Sequence, residues 1–423
     1  MKIAILGGGI TGLTAAYELS KKGHEVVLYE KSQVLGGLAV GFKENGWDWP
    51  LERAYHHLFA SDHDILGFAK EIGFNDIYFK TPHTDSLYKE GVFPLDSPVS
   101  LLRFPLLSVF DKLRAGIILA YLKLSPFLPV YETMSTEVFL TKTMGKNAYN
   151  VLFGGLLRKK YGKYAGNVLA TWIWSRVKKR TQKLGYIKGG FQSFTDYLEN
   201  EIKKQGVIVK TGESIESITK KGKKYAINGH IFDAVISTLP TAALPSVANS
   251  VLPKAYLQRF SKLTYLWAQV LIVQTVKPIL KKSYWLNVTV PDYPFLVLVQ
   301  HTNFVNKKVY ADKHLLYVGN YLEESNPLLK MSEKALFKHF KPYLQTITPK
   351  ATLNHAKLFK FQAPFAQPVF DKEFLKNKPD FITPAPNFYI ANLDMTYPHD
   401  RGTNYAVKLG REVSELVLNR VLK

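Results

Sequence analysis

Hydrophobic and polar positions at the start of the chain alternate in a strand–helix–strand pattern. The apolar run Lys2–Leu6 predicts a short buried strand, and apolar residues at helical spacing follow over residues 10–19. Gly23 ends this predicted helix, and residues 25–29 predict a second strand. The pattern is typical of a β-α-β unit and indicates an α/β fold.

Later segments predict more strands and a closing helix. Apolar runs predict strands over residues 206–209, 225–227, 234–237, 265–274, 294–300, 314–318 and 388–391. Helical spacing covers residues 333–340, which Pro342 should end, and residues 404–421. Asp62 is placed to cap a helix over residues 65–69. Because no linker or repeat separates these segments, we expect interleaved domains, with the runs at 265–274 and 294–300 in a second sheet.

The segment 98–129, rich in Leu, Phe and Pro, permits two interpretations. Leu113, Ile117, Tyr121 and Leu124 fall on one helical stripe, and residues 158–183 contain nine basic residues and no acidic one. A lipophilic channel beside an anionic membrane surface would account for both features. A buried helix next to a solvated basic face would account for them equally well.

Composition and charge narrow the class of protein. The 423 residues include no cysteine, which excludes disulfides, cysteine-ligated metals and thiol nucleophiles, and their number suffices for two or three domains. The 56 Lys and Arg residues exceed the 34 Asp and Glu residues, which gives a net charge of +22 and favours anionic partners. Without a nucleic-acid motif we expect no nucleic acid, and we expect a cytoplasmic protein with peripheral membrane contact left open.

A glycine-rich turn separates the first strand from the first helix. Gly7, Gly9 and Gly12 have the spacing G-x-G-x-x-G. The first glycine permits a tight turn, the second lets the backbone approach a pyrophosphate, and the third lets helix and strand pack closely. The helix then begins at Ile10 and Thr11, where free N–H groups would face the phosphates.

An acidic residue completes this pattern. Glu30 ends the second predicted strand, where a carboxylate accepts hydrogen bonds from a ribose, and Lys31 adjoins it. The order of these elements, from the first strand through the glycine turn and helix to the second strand and its acid, is that of a dinucleotide-binding unit. The sequence therefore predicts a dinucleotide site. No second G-x-G triplet occurs, so we expect one dinucleotide.

Several further segments resemble the FAD-dependent amine oxidase superfamily, which includes protoporphyrinogen oxidases, phytoene desaturases and, more distantly, UDP-galactopyranose mutases. Gly36 and Gly37 resemble the second glycine pair beside the FAD diphosphate, and Leu38 stands where many members have arginine. Residues 185–191 resemble an element that opens a helix, and residues 206–240 follow in the expected order. The resemblance therefore implies FAD as the cofactor.

The resemblance also implies cofactor contacts further along the chain. Val209 corresponds to a backbone contact with adenine, and Asp394 lies one position from the acid that binds the ribityl chain in relatives. Gly402, Thr403 and Asn404 would begin a helix directed at the flavin.

The implied fold is α/β, with a Rossmann-like FAD-binding domain, a mixed-sheet substrate domain and a helical cover. We expect residues 1–60, 185–245 and 375–423 to form the FAD-binding domain. Residues 61–184 and 246–374 would form the substrate-binding domain with its helical basic region.

Candidate catalytic residues lie in three segments. His56 and His57 would point to opposite sides of an extended chain, so at most one faces the flavin, and His57 is our candidate. His301 ends a predicted strand and suits either a pocket wall or a capped turn. Arg401 and Tyr405 are candidates beside the flavin or an anionic substrate. No metal-ligand spacing accompanies the histidines, so we expect no metal.

The resemblance implies an FAD-dependent oxidoreductase that dehydrogenates or desaturates a hydrophobic small molecule by hydride transfer, with a membrane as one open source of that substrate. One alternative is an enzyme like the UDP-galactopyranose mutases, in which Arg158, Arg176 and Arg180 bind the diphosphate of a nucleotide sugar without net redox. The other alternative is a non-catalytic FAD-binding protein.

Overall fold

The computed structural model describes residues 1–349 and 353–421. Its strands are β1 (Lys2–Leu6), β2 (Glu25–Glu30), β3 (Gly41–Phe42), β4 (Leu51–Glu52), β5 (Leu58–Phe59), β6 (Ile77–Lys80), β7 (His83–Tyr88), β8 (Gly91–Pro94), β9 (Leu184–Ile187), β10 (Ile208–Thr211), β11 (Ile218–Lys221), β12 (Lys224–Ile227), β13 (His230–Phe232), β14 (Ala234–Ser237), β15 (Tyr265–Thr275), β16 (Ser283–Val288), β17 (Val297–Gln300), β18 (His314–Leu322), β19 (Lys357–Pro368) and β20 (Phe388–Ile390).

The α-helices are α1 (Ile10–Ser20), α2 (His63–Glu71), α3 (Pro98–Arg103), α4 (Val109–Leu124), α5 (Val130–Thr133), α6 (Thr136–Met144), α7 (Lys146–Tyr149), α8 (Gly155–Tyr161), α9 (Thr171–Lys179), α10 (Gly190–Lys204), α11 (Leu244–Val247), α12 (Lys254–Gln258), α13 (Pro327–Lys330), α14 (Glu333–Ile347), α15 (Lys372–Asn377) and α16 (Thr403–Val421). A π-helical turn, Asn150–Gly154, joins α7 to α8.

A five-stranded parallel sheet forms the first half of the molecule. Its strand order is β10-β2-β1-β14-β20, so distant parts of the chain pair side by side. Helices α1 and α16 pack together against it. A Cβ at Gly410 of α16 would lie 2.6 Å from Thr14 Cβ and 2.7 Å from the Thr11 carbonyl oxygen, so glycine permits this close approach. The predicted β-α-β unit and closing helix are confirmed.

A seven-stranded mixed sheet forms the second half. Its order is β19-β15-β18-β17-β16-β7-β8, and its neighbouring strands are antiparallel except β16 and β7, which run parallel. The expected second sheet is therefore confirmed. Leu271, Val273 and Leu298 are buried beneath α14, whose Leu336 and Phe340 cover this face.

Helices α3 to α9 form a cover in which the predicted apolar stripe faces outward. Ile117 and Leu124 of α4 are 68% and 80% exposed, while Ala115 and Leu122 on the opposite side of α4 are fully buried. The buried-helix interpretation is therefore wrong for these stripe residues. No helix among the described residues is long and apolar enough to cross a membrane.

Two local predictions are also wrong. Pro342 lies inside α14 instead of ending it, because Phe340 and Leu344 on either side are buried and hold the helix against the sheet. Asp62 does occupy the position before α2, but its carboxylate accepts a hydrogen bond from the Phe59 backbone N–H. The cap of α2 comes from a distant residue, as described below.

Candidate functional site

The glycine turn between β1 and α1 leaves no room for larger residues at two of its positions. Gly7 has φ +109°, and a Cβ there would lie 2.4 Å from Thr238 Oγ1. A Cβ at Gly12 would lie 2.1 Å from the Gly7 carbonyl oxygen. Such overlaps with neighbouring atoms require glycine, so the shape of the turn depends on these two residues.

Gly9 differs from its neighbours because the space beside it is free of side chains. The atom nearest to a Cβ built there is Gly37 Cα at 3.8 Å. Gly9 precedes α1 without capping it, and among the described residues no side chain caps this helix. The first N–H groups of α1 therefore have no cap, which suits an anion.

The second glycine pair packs against this turn. The Gly36 N–H donates to the Gly8 carbonyl oxygen at 2.9 Å, and Gly37 has φ +58°. Leu38, which follows, is largely exposed. The two glycine segments thus form one backbone surface with few side chains.

Glu30 closes the end of the turn next to β2. Its two carboxylate oxygens accept hydrogen bonds from the backbone N–H groups of Gly8 and Ser32, each at 2.8 Å. Each oxygen keeps a second lone pair for a hydroxyl donor. Lys31 beside it is exposed, and Val209 on the neighbouring edge strand β10 pairs with Leu28.

The buried carboxylate of Asp394 follows β20, the edge strand opposite β10 in the parallel sheet. Tyr265 OH donates to Asp394 Oδ2 at 2.6 Å, whereas Asp394 Oδ1 is buried without a partner among the described residues. Burial raises the pKa of Asp394 to about 6. Asn392 donates to the Leu239 carbonyl oxygen and to Thr241 Oγ1, and so fixes the loop that carries Asp394. Sequence reasoning missed this network because its members lie in three distant segments.

The side chain of Asn404 caps a neighbouring helix. Its Oδ1 accepts hydrogen bonds from the backbone N–H groups of Asp64 and Ile65 in the first turn of α2, and its Nδ2 donates to Asp64 Oδ2. This side chain is therefore unavailable to a cofactor. The cofactor contact expected at Asn404 is left to its backbone. Gly402 and Thr403 precede and begin α16, respectively.

The two adjacent histidines contact different partners. His56 Nδ1 donates to the Ala54 carbonyl oxygen at 2.8 Å, and its ring packs against Phe191. His57 lies among aromatic rings, 5.6 Å from Trp285, and its buried Nδ1 has no partner among the described residues. Burial lowers the pKa of His56 to about 4 and that of His57 to about 3, so both are neutral at pH 7.

His301 begins a short 3-10 turn, His301–Asn303, and its side chain lies in the core. It is 3% exposed, and its Nε2 is 2.9 Å from Tyr310 OH. Its ring also packs against Tyr186 and Tyr317. These contacts favour a structural role for His301, and its catalytic role stays a prediction.

Four basic residues gather beside the histidines, and we call Lys160, Arg176, Arg180 and Arg401 the cationic cluster. Lys160 Nζ forms an ion pair with Asp400 Oδ2 at 2.8 Å. Within the described part of the chain, no carboxylate lies at salt-bridge distance from the three arginines. The cluster therefore carries more positive than negative charge, which favours an anionic ligand.

Aromatic rings hold the cationic cluster together. Arg401 Cζ lies 4.6 Å and Lys160 Nζ 5.5 Å from the centre of the Tyr321 ring, while Arg176 Cζ lies 5.3 Å from that of Trp172. The Arg401 guanidinium also donates to the Ala366 carbonyl oxygen at 2.6 Å. The nearby charge of Arg176 is the largest cause that lowers the pKa of Arg180 to about 9.

The cationic cluster and the two histidines belong to one site. Besides burial, the charge of Arg180 contributes to the low pKa of His57, and that of Arg401 to the low pKa of His56. Tyr405 stacks on His399 with ring centres 4.8 Å apart. Lys179 Nζ lies 5.3 Å from the centre of the Tyr405 ring. The structure thus brings together a neutral aromatic wall and an uncompensated positive edge.

Arg158 does not join this site. It lines a separate open cleft of about 410 Å³ together with Thr289, Tyr293 and Asn320. Lys160 and Asp400 belong to the site instead, although sequence reasoning selected neither. A signal was present, because the basic run over 158–183 contains Lys160, but its spacing does not show which bases face inward.

Comparison with known proteins identifies the family. The model of the family described as flavin containing amine oxidoreductase matches residues 10–418.

The chain belongs to this family.

Individual relatives in the family share less of the sequence. The zeta-carotene desaturase of Zea mays is 30% identical over 132 residues, which are 28% of this chain and 23% of that protein. The chain thus spans about a quarter of the length of this curated relative. An oxidoreductase from Methanosarcina mazei has a TM-score of 0.75 at 19% identity over the full length of both chains. A reduced UDP-galactopyranose mutase has a TM-score of 0.73 at 16% identity, over 99% of this chain and 96% of that one. These two likenesses show the shared fold.

As a member of this flavin-containing family, the protein has FAD as its cofactor. The residues present fit the cofactor. The uncapped end of α1, the free space beside Gly9 and the spare lone pairs of Glu30 suit an adenosine diphosphate group. The unpaired Oδ1 of buried Asp394 suits a hydroxyl donor such as those of a ribityl chain.

Proposed function

We propose that the protein dehydrogenates a lipophilic small molecule that carries an anionic group. The observation that carries this proposal is the juxtaposition of the neutral aromatic wall around His57 with the cationic cluster. An apolar body would lie against the rings, while Arg176 and Arg180 would bind the anion by charge-assisted hydrogen bonds. A cytoplasmic location is part of the same proposal.

The cofactor contacts are assigned to the backbone wherever the side chains are absent or already engaged. The N–H groups of Gly9, Ile10, Thr11, Gly37 and Leu38 would face the diphosphate. Glu30 and Lys31 would contact the ribose, and Val209 would contact adenine. Asp394 would bind the ribityl chain, and the start of α16 at Gly402, Thr403 and Asn404 would face the flavin. Gly7, Gly12 and Gly36 shape the turns that hold these groups in place.

The proposed domain division is that of the sequence analysis. Residues 1–60, 185–245 and 375–423 form the cofactor-binding domain, and residues 61–184 and 246–374 the substrate-binding domain. The five-stranded sheet draws all its strands from the first set, and the seven-stranded sheet draws all its strands from the second.

In this reaction the substrate loses a hydride from one carbon and a proton from its neighbour, which leaves a double bond. Bound FAD would supply the hydride acceptor, and dioxygen or a quinone would later take up the two electrons. His57 is neutral at pH 7, so its ring would orient the substrate without adding charge, while the proton passes to solvent. Arg401 and Tyr405 shape the positive end of the site.

A mutase reaction on a nucleotide sugar is the second candidate. Arg176 and Arg180 stand at the end of α9, four residues apart, so their guanidinium groups lie on one side of the helix, where a diphosphate would bridge them. Such a reaction would require reduced flavin and would consume no electron acceptor.

These functions differ in whether the substrate reduces the flavin and whether an electron acceptor is consumed. The protein purified with FAD is mixed anaerobically with small molecules identified by mass spectrometry in its own extract. We expect an anionic lipophilic compound to bleach the oxidised flavin spectrum, and oxygen or a quinone to restore it. Turnover of a nucleotide sugar by pre-reduced protein without an acceptor would instead establish the mutase. A flavin that reacts with neither substrate nor sulfite would indicate a non-catalytic protein.

A further inference from the structure

We propose that the outer face of α3 and α4 docks on an anionic phospholipid bilayer. This apolar docking face consists of Val99, Leu102, Val109, Phe110, Leu113, Ile117, Tyr121 and Leu124. The proposal concerns where the protein resides, and it does not depend on which reaction the flavin performs.

The exposure of the apolar docking face is unusual for a folded helix. Val109 and Phe110 are each 71% exposed, and every other member of the face is at least 47% exposed. Ser108 accepts a hydrogen bond from the Asp111 N–H, so α4 is capped and well formed while its apolar side faces outward. Contiguous apolar surfaces of this kind mark sites of interaction.

The arrangement of charges around the face identifies its partner. At about 100° per residue, the apolar side chains of α4 occupy an arc of about 120°. Arg114 borders this arc on one side, and Lys112 and Lys123 border it on the other. A helix with an apolar centre and basic edges lies in the plane of a bilayer, its apolar side among the acyl chains and its bases at anionic headgroups.

The same charges disfavour a second copy of the chain as the partner. Two copies joined through this face would bring the basic edges of both helices together, in a protein whose net charge is +22. Like charges at an interface oppose association. Asp111, the acidic residue of α4, is already engaged by Ser108 and Asn147 and so cannot neutralise a second copy.

The docking face adjoins the cationic cluster. Lys123 Nζ at the end of α4 donates to the carbonyl oxygens of Lys178 and Arg180. Trp174 of α9 also donates to the Ser125 carbonyl oxygen at 3.3 Å. A bilayer on this face would therefore lie next to the positive edge of the site, where a lipophilic anion would enter.

Vesicle flotation of the full-length protein with bound FAD tests the proposal. The vesicles contain phosphatidylcholine alone or with phosphatidylglycerol, at low and at high salt. We expect flotation with the anionic vesicles at low salt, and weaker flotation at high salt or without anionic lipid. The variant F110S/I117S should lower the partition coefficient at least tenfold, because insertion depends on buried apolar area.

A matched variant and a charge variant complete the experiment. V276S/I231S removes two exposed apolar residues elsewhere and should float like the wild type. K112Q should weaken binding by about fivefold, whereas K220Q on β11 should change it less. The flavin spectrum of each variant reports correct folding.

Three results would overturn the proposal. They are absence of flotation at low salt, equal flotation of F110S/I117S and the wild type, and a concentration-dependent dimer in sedimentation velocity that F110S/I117S abolishes. The last would assign the face to a second copy. Loss of flotation with unchanged flavin reduction would leave the proposed dehydrogenation intact, so the two proposals fail separately.

Discussion

The glycine turn and the cationic cluster keep their shapes by different means. The turn is held by contacts between backbone atoms. The Gly36 N–H donates a hydrogen bond to the Gly8 carbonyl oxygen, and an added Cβ at Gly12 would overlap the Gly7 carbonyl oxygen. In the cluster, long side chains from α8, α9 and the segment before α16 are held by rings and one carboxylate. The turn therefore tolerates no added atoms at Gly7 or Gly12, whereas the cluster can change its side chains and keep its backbone.

The largest expected effect comes from adding one methyl group to the turn. Gly12→Ala should lower the free energy of unfolding by about 3 kcal/mol or more, because the overlap with Gly7 is with backbone and cannot relax easily. Gly9→Val should leave the fold intact but fill the space proposed for the diphosphate. Thermal unfolding and the flavin absorbance of the purified variants separate the two.

If Gly9→Val retained FAD, the proposed cradle would be wrong. If Gly12→Ala proved as stable as the wild type, the difference between the two glycines would disappear.

The next effect concerns Glu52 of β4, whose carboxylate is buried outside both regions. Glu52 accepts hydrogen bonds from Tyr186 OH and from the Phe191 N–H, and burial raises its pKa from 4.5 to about 7. A carboxyl with a raised pKa stabilises the folded state fully below its unfolded pKa and loses this contribution as the pH rises through the folded pKa.

Glu52→Gln stays neutral, so its free energy of unfolding relative to the wild type should rise from pH 5 to pH 8 by up to about 3 kcal/mol. Denaturant unfolding across this pH range measures the difference. The same substitution at an exposed position, Glu216→Gln, provides the matched control variant. A constant difference for Glu52→Gln would show that this carboxyl does not titrate between these values.

Removing one guanidinium from the cluster should act on binding alone. Arg180→Gln should raise KM for an anionic substrate roughly thirtyfold, since a charge-assisted hydrogen bond contributes about 2 kcal/mol. The melting temperature should stay near that of the wild type, because the Arg180 side chain is exposed. Arg158→Gln, in the separate cleft, is the matched control and should leave KM unchanged. Equal effects of both substitutions would remove the cluster from the substrate site.

The smallest effect is expected at His301. His301→Phe removes the hydrogen bond to Tyr310 OH and should lower the free energy of unfolding by about 1 kcal/mol. Steady-state kinetics and the flavin spectrum should not change, because the ring lies in the core. A large fall in kcat with unchanged stability would establish the catalytic role expected from the sequence.

The cofactor half could be predicted from the sequence because its signals are local. Gly7, Gly12 and Glu30 stand within a single β-α-β unit, at spacings that the turn itself requires. The cationic cluster could not be predicted, since Lys160 and Asp400 meet only after the chain has folded. Nor could apolar spacing show that Ile117 faces outward, because a stripe has the same period on a surface as in a core.

The close approach of α1 and α16 through Gly410 has a consequence for the order of folding. Helix α1 packs on α16, and β1 shares a sheet with β20, although these partners lie far apart along the chain. Contacts between distant segments form slowly, because the long loop between them must close first. The end of α1 that faces the proposed diphosphate therefore gains its neighbours only when these distant segments have joined.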